Sequence, residues 1–207
     1  MKIQWHGETC FTFKGKYTAT CIDPYANGKH NLKSVDAASI MLTNDYDGGA
    51  KLVPGSEKAI VFNWPGEYEV QDTTIIGIPA YTKEKEEGDT VKGRIVIFSF
   101  MLDGIRMCHL GELGVELDDI SLERIGTVDI LMISAGGSNV LDPKKMHATI
   151  EQIEPRVVIF MNHTHADLEA VVKEIGIQMP EPIDSFNVQE KSQLPEDRTD
   201  FVVLNAV

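Results

Sequence analysis

The chain has 207 residues, 43% hydrophobic and 25% charged, with 19 basic against 32 acidic residues and a net charge of −13 at neutral pH. That length supports one domain, residues 1–207, with a substantial core. The acidic balance disfavours nucleic acid as a partner, because neutralising phosphates takes clustered Lys and Arg. No apolar run reaches membrane-spanning length. The opening MKIQWHGETC is not a signal peptide, since Gln4, His6 and Glu8 interrupt any apolar stretch. The expectation is a cytoplasmic protein with no membrane partner. Cys10, Cys21 and Cys108 form no CxxC pair and read as buried free thiols.

Lys2–Trp5, Cys10–Phe13 and Tyr17–Ile22 read as three strands, with turns at Gly7 and Gly15. Ser39–Thr43 is a buried strand that runs into a polar loop, Asn44-Asp45-Tyr46-Asp47-Gly48-Gly49. Ala59–Asn63 is another short apolar run. Thr73–Pro79 and Arg94–Phe100 are strands flanking the charged run Lys83–Glu87, and Gly104–Leu110 forms a hairpin with the second. The spacing over Val115–Ile125 predicts an amphipathic helix with Leu117, Ile120, Leu122 and Ile125 inward. Val128–Ser134 and Arg156–Met161 are buried strands. Asp142-Pro143 opens a helix to about Ile153, and a further helix spans about Leu168–Ile175, stopped by Gly176. Ile183–Val188 and Asp200–Leu204 are strand-like. The pattern by itself supports a mixed α/β fold.

Several of these segments resemble the metallo-β-lactamase superfamily. Trp5-His6-Gly7-Glu8-Thr9-Cys10-Phe11 is similar to that family's Trp-Leu-Gly-His-Ser-Cys-Phe opening, and Asp23-Pro24 to its Asp-Pro step. Pro65-Gly66-Glu67-Tyr68-Glu69-Val70 is similar to a Gly-Pro-Gly-Glu-Tyr-Glu-Val segment of a bacterial branch that includes ascorbate-phosphate lactonases. His109-Leu110-Gly111-Glu112-Leu113-Gly114 resembles His-x-Gly-Asp-x-Gly. The resemblance covers nearly the whole chain and implies a four-layer αββα sandwich. It also implies a zinc loop, His-x-His-x-Asp-His, after the strand at Ser39–Thr43. Here those four ligand positions hold Asn44, Tyr46, Gly48 and Gly49. The other ligand positions fall on Thr82, Glu112 and Asn162.

Zinc hydrolysis needs imidazoles or carboxylates converging about 2 Å from the metal, with one position left for water. Asn is a poor zinc ligand, a neutral phenol is little better, and Gly has no side chain. The first reading is therefore that no metal or other cofactor is used. The old cleft then survives as a pocket lined by Asn44, Asp45, Tyr46, Asp47, Thr82, His109, Glu112, Asn162, His163 and His165. In that reading the protein is a pseudoenzyme that binds an unidentified small molecule or protein. His163-Thr164-His165-Ala166-Asp167 supports the alternative. There, Asp45, Asp47, Glu112, His163 and His165 would hold zinc or a weakly bound divalent cation, and the protein would hydrolyse an ester, lactone or phosphodiester. Asp167 has a competing structural role as a helix cap. His109 is expected to orient the adjacent loop by hydrogen bonding.

Overall fold

The structure, a computed structural model, describes residues 1–45, 48–71, 73–83 and 93–207. The strands follow in chain order: β1 (Lys2–Gly7), β2 (Cys10–Lys14), β3 (Ala19–Ile22), β4 (Ser39–Met41), β5 (Ile60–Phe62), β6 (Gly66–Val70), β7 (Thr73–Tyr81), β8 (Arg94–Leu102), β9 (Ile105–His109), β10 (Ile130–Ser134), β11 (Val157–Met161), β12 (Phe186–Asn187) and β13 (Asp200–Val203). Three helices are interspersed: α1 (Asp119–Ile125), α2 (Pro143–Ile153) and α3 (His165–Ile175).

Two mixed sheets face each other. The first has the order β12-β1-β2-β3-β4-β5 and the second β13-β11-β10-β9-β8-β7-β6. Alternation within the strands builds the layer between them. Ile3, Trp5, Phe11, Phe13, Ile22 and Met41 point from the first sheet onto Phe98, Phe100, Met107, Met132, Ile159 and Met161 of the second. Phe13 meets Phe100 edge to face at 5.1 Å. Complete burial of one such ring contributes about 2–3 kcal/mol. The other face of the second sheet carries Ile95, Ile97, Leu131, Ile133, Val158 and Phe160, packed beneath Ile125, Met146, Ile150, Leu168 and Val171 of the three helices. β10 and β11 are therefore apolar on both faces, as their unbroken buried runs predicted. On the outer face of the first sheet, Val35, Ala37 and Val53 from irregular chain cover Cys21, Ile40 and Leu42.

The two facing sheets with flanking helices are the expected sandwich, except that irregular chain rather than helix covers the first sheet, and the other differences are local. Residues Gly15 and Thr18 close a turn, so Tyr17 is 82% exposed and β3 begins at Ala19. Helix α1 starts only at Asp119, because Asp118 caps it by accepting from the Ser121 amide. Ile120 then lies about 140° around the helix from Ile125, and it is 69% exposed rather than inward. Helix α3 starts at His165 rather than Leu168. Its cap is Thr164, in a reciprocal capping box with Asp167. The tail run Ile183–Val188 forms one bridge, Ile183 to Leu204, and the two-residue β12. Among the described residues, no helix is long and apolar enough to cross a membrane.

Candidate active site

β9, β10 and β11 run parallel, so their carboxyl ends open together on one rim of the second sheet. Parallel α/β sheets place ligands at that rim. The loops that follow are Leu110–Glu112, Ala135–Gly137 and Asn162, and Thr43-Asn44 arrives from the facing sheet after β4. Backbone bonds lock the loops together. The Leu110 amide donates to Met132, the Ala135 amide to Met161, the Val96 amide to Thr43 and the Asn162 amide to Glu8. Ser134 Oγ donates to the Gly111 carbonyl at 2.7 Å. Gly111 has φ +56, and a Cβ there would sit 3.1 Å from Thr43 Cβ. Glycine at this position lets the two sheets' loops meet.

Glu112 is the centre of this rim. Asn44 Nδ2 donates to Glu112 Oε2 at 2.9 Å, and Asn162 Nδ2 approaches Glu112 Oε1 at 3.5 Å. One carboxylate is thus held between two carboxamides that come from different sheets. The group is partly solvent-accessible. It can accept a proton from water, and the two amides can steady a polarised oxygen beside it.

Asp23 lies below the Asn44 loop and is completely buried. Its carboxylate accepts from the Thr43 amide at 2.7 Å and from Thr43 Oγ1 at 2.6 Å. Burial pushes its pKa up to about 6, against hydrogen bonds from Thr43, Thr9 and Tyr25 that favour the charged form. Tyr25 connects this node to the rim, because its hydroxyl accepts from the Asn44 amide at 3.1 Å. Burial and the neighbouring Asp23 charge push the Tyr25 phenol well above its ordinary range. Sequence reasoning passed over Asp23 as a site residue. The available signal was an Asp-Pro step at the end of a buried strand, where a carboxylate has no solvent to face. Glu8 (φ 48), Asp23 (φ 50) and Asn162 (φ 50) are all non-glycine residues in the left-handed region. Such strain gathers where surrounding structure dictates the backbone, functional sites included. Asn162 and Glu8 are tied together there, since the Glu8 carbonyl also accepts from Trp5 Nε1 at 2.8 Å.

The other expected residues divide. His109 is fully buried, with Nε2 3.1 Å from the Thr9 carbonyl and Nδ1 accepting from the Gly111 amide at 3.2 Å. Burial lowers its pKa to about 3, so the ring is neutral and orients the Glu112 loop. His163 stacks on Trp5 at 4.8 Å between ring centroids. Its Nε2 is buried without a hydrogen bond, and burial lowers its pKa against the pull of Asp167. His165 faces away along α3, with Nε2 3.3 Å from Glu169. Asp45 is occupied by the Ala50 amide and by Asn63 Nδ2, at 3.1 and 3.4 Å. Thr82 follows β7, where its amide donates to Gly93. Tyr46 and Asp47 lie outside the described residues, as does most of the charged run after Lys83.

A groove of about 720 Å³ opens on the Asn44 side of the rim, lined by Tyr25–Gly28, Asn44 and Gly49–Lys51. Another, of about 520 Å³, lies by Thr12–Thr20 and Ser34–Ala38 and shares no lining residue with the Glu112 site.

Residues 2–162 match the β-lactamase superfamily domain, and the chain belongs to that family. Among its relatives are a UPF0173 metal-dependent hydrolase of Thermococcus onnurineus, 25% identical over 85% of this chain and 92% of the relative. One from Thermoplasma volcanium, also named a metal-dependent hydrolase, is 25% identical over 81% and 86%. A crystal structure from Thermotoga maritima, named as a Zn-dependent hydrolase of the metallo-β-lactamase superfamily, covers 99% of both chains at 24% identity with a TM-score of 0.74. These relatives are mostly archaeal, so they do not support the bacterial branch suggested by the Pro65–Val70 segment.

Those names imply a metal cofactor in the relatives, and the expectation of no cofactor is corrected accordingly. That expectation weighed only imidazoles and carboxylates and set aside carboxamide oxygens. The residues present do not fit a zinc pair. Among the described residues, no three His, Cys, Asp or Glu side chains group closely enough to hold an ion. In particular, His165 and Asp45 are turned to other partners, so the set Asp45, Asp47, Glu112, His163 and His165 is not brought together by its described members. What converges is one carboxylate and two carboxamides.

Proposed function

We propose that the chain is a metal-dependent hydrolase whose reaction site is the rim around Glu112, acting on an ester, lactone or phosphodiester of a small molecule. The observation that carries this is the Glu112 carboxylate, held between Asn44 and Asn162 where loops of both sheets meet. The names of the relatives support it. The adjoining groove has the size of a small-molecule site. In this reading Glu112 takes a proton from the attacking water, and the carboxamides orient the oxygen that gains charge. His109 and Gly111 fix the loop that carries Glu112.

One observation favours a second reading, a binding module without turnover. Both Glu112 oxygens already face amide donors, which compete with a water for the same lone pairs. A panel of p-nitrophenyl esters, an aliphatic lactone and bis-p-nitrophenyl phosphate separates the two, assayed at high protein concentration with magnesium, calcium, manganese or zinc. The hydrolase reading expects multiple turnovers on at least one substrate class. Folded protein that turns over none of them with any cation leaves the binding module.

A further inference from the structure

The groove of about 520 Å³ on the outer face of the first sheet lies apart from the Glu112 rim and shares no lining residue with it. We infer that this groove binds a nucleoside monophosphate, with the phosphate held by the lysines around Lys14 and the base stacked on Tyr17. The inference does not depend on the hydrolase reading.

Strand alternation makes the floor of the groove polar and basic. Ile3, Trp5, Phe11 and Phe13 point into the core, so Lys2, Gln4, Thr12 and Lys14 point out of the sandwich. In the β1–β2 register Lys2 stands directly opposite Lys14, and Gln4 opposite Thr12. Like charges directly opposite across two strands repel. Among the described residues neither Lys2 nor Lys14 is ion-paired. Lys16 adds a third ammonium group from the turn that follows β2, and Asp36 is the one acid in the lining. A chain of net charge −13 thus gathers three lysines at one end of this face. An anion placed among them relieves the repulsion, and a phosphate offers oxygens to several of them at once.

Tyr17 supplies the other half of the site. Its ring is 82% exposed, yet the turn that carries it is fixed. The Gly15 amide donates to the Thr18 carbonyl at 2.9 Å, the Lys16 amide to Asp103 at 2.9 Å, and Thr18 Oγ1 to Gln71 Oε1 at 3.1 Å. Lys16 Nζ lies over the ring, 5.0 Å from its centroid, and the exposure leaves the opposite face open. An exposed ring on a fixed turn is a stacking platform for a base, and every base has a π-face to offer it. Gln4, Ser34 and Gln71 also line the groove, where they can pair with ribose hydroxyls. The volume is that of a small-molecule site. The acidity that disfavours a nucleic acid does not weigh against one phosphate, which needs only a local cluster of cations.

Isothermal titration of the full chain at low ionic strength tests this, with adenosine monophosphate, adenosine and inorganic phosphate as the probes. The expected result is one saturable site for the nucleotide, with Kd roughly 10⁻⁵–10⁻⁴ M. Adenosine and phosphate should each bind at least about tenfold more weakly, since each lacks one half of the contacts. Lys14→Ala and Tyr17→Ala, both at exposed positions, should each weaken the nucleotide about tenfold. Added salt should weaken it as well. Asp36→Asn, which removes the one like charge from the lining, should tighten it about threefold and so guards against loss through misfolding. Glu112→Gln should leave the affinity unchanged. No saturation by the nucleotide in the millimolar range, or an affinity unchanged in both Lys14→Ala and Tyr17→Ala, would overturn the inference. So would loss of nucleotide binding in Glu112→Gln, which would place it at the rim. Phosphate that binds as tightly as the nucleotide, with both indifferent to Tyr17→Ala, would overturn the assignment of a base to this groove.

Discussion

Replacing Asp23 by Asn should remove a pH dependence of stability that the fold builds into the floor of the site. The carboxylate is fully buried, and its pKa rises from near 3.8 to about 6 because burial outweighs the hydrogen bonds from Thr43. The folded state therefore holds the proton more tightly than the unfolded chain. This contribution to stability is present in full below about pH 4 and is lost as the pH rises through 6. A shift of about two units corresponds to about 3 kcal/mol. The sequence pI is near 4.8, which argues for working above pH 5 to keep the protein soluble. Between pH 5 and pH 8 roughly half the effect, about 1.4 kcal/mol, remains measurable. Asn suits the position, because Asp23 has φ 50 and Asn tolerates the left-handed region well. Urea unfolding of both proteins across that range gives the difference directly, since contributions from other titrating groups cancel. Wild type should lose about 1.4 kcal/mol relative to Asp23→Asn between pH 5 and pH 8. A difference that stays constant with pH would refute the buried-carboxylate reasoning.

Three further outcomes are expected. Asp129 is buried just before β10, pairs with Lys191 at 2.9 Å and Arg156 at 3.3 Å, and accepts from the Arg106 amide. Asp129→Ala should cost about 2 kcal/mol in urea unfolding, less than a fully buried pair because Arg156 and Lys191 are partly solvated. Gly136→Ala should cost about 2 kcal/mol by overpacking. Its Cβ would lie 2.4 Å from Asp167 Oδ2 and 2.6 Å from the Asn162 carbonyl, so the loop that carries Asn162 toward Glu112 must shift. The native protein should resist thiol reagents, since Cys10, Cys21 and Cys108 are buried and burial pushes the Cys108 thiol up to about 12. Denatured without reductant it should show three free thiols, and finding one would reveal a disulfide.

The sheets were legible in the sequence because their strands are buried on one or both faces. Val157–Met161 is apolar throughout and lies between β10 and β13, covered on both faces, and Cys10–Lys14 alternates and has one face in the core. Element ends were less legible, because capping decides them. Thr164-x-x-Asp167 is a capping box that could have moved the start of α3 from Leu168 to His165. That shift changes the chemistry, since it puts His165 on a helix face beside Glu169 instead of in a metal loop. Ile120 was misplaced for the same reason: helical periodicity was carried back past the Asp118 cap. At the site, Asn44, Glu112 and Asn162 were each named from the sequence, and the structure brings them together. Asp23 was seen only as part of an Asp-Pro step, because its role in the floor of the site depends on burial under the Asn44 loop, a tertiary contact.

The central claim is that hydrolysis at the Glu112 rim depends on a divalent cation. The direct measurement is the initial rate on whichever ester, lactone or phosphodiester the panel identifies, before and after chelation, in wild type and Glu112→Gln. The account predicts a rate that is lost on chelation, returns when a divalent cation is restored, and falls at least about 100-fold in Glu112→Gln. A rate that survives both chelation and the Glu112→Gln substitution would contradict it.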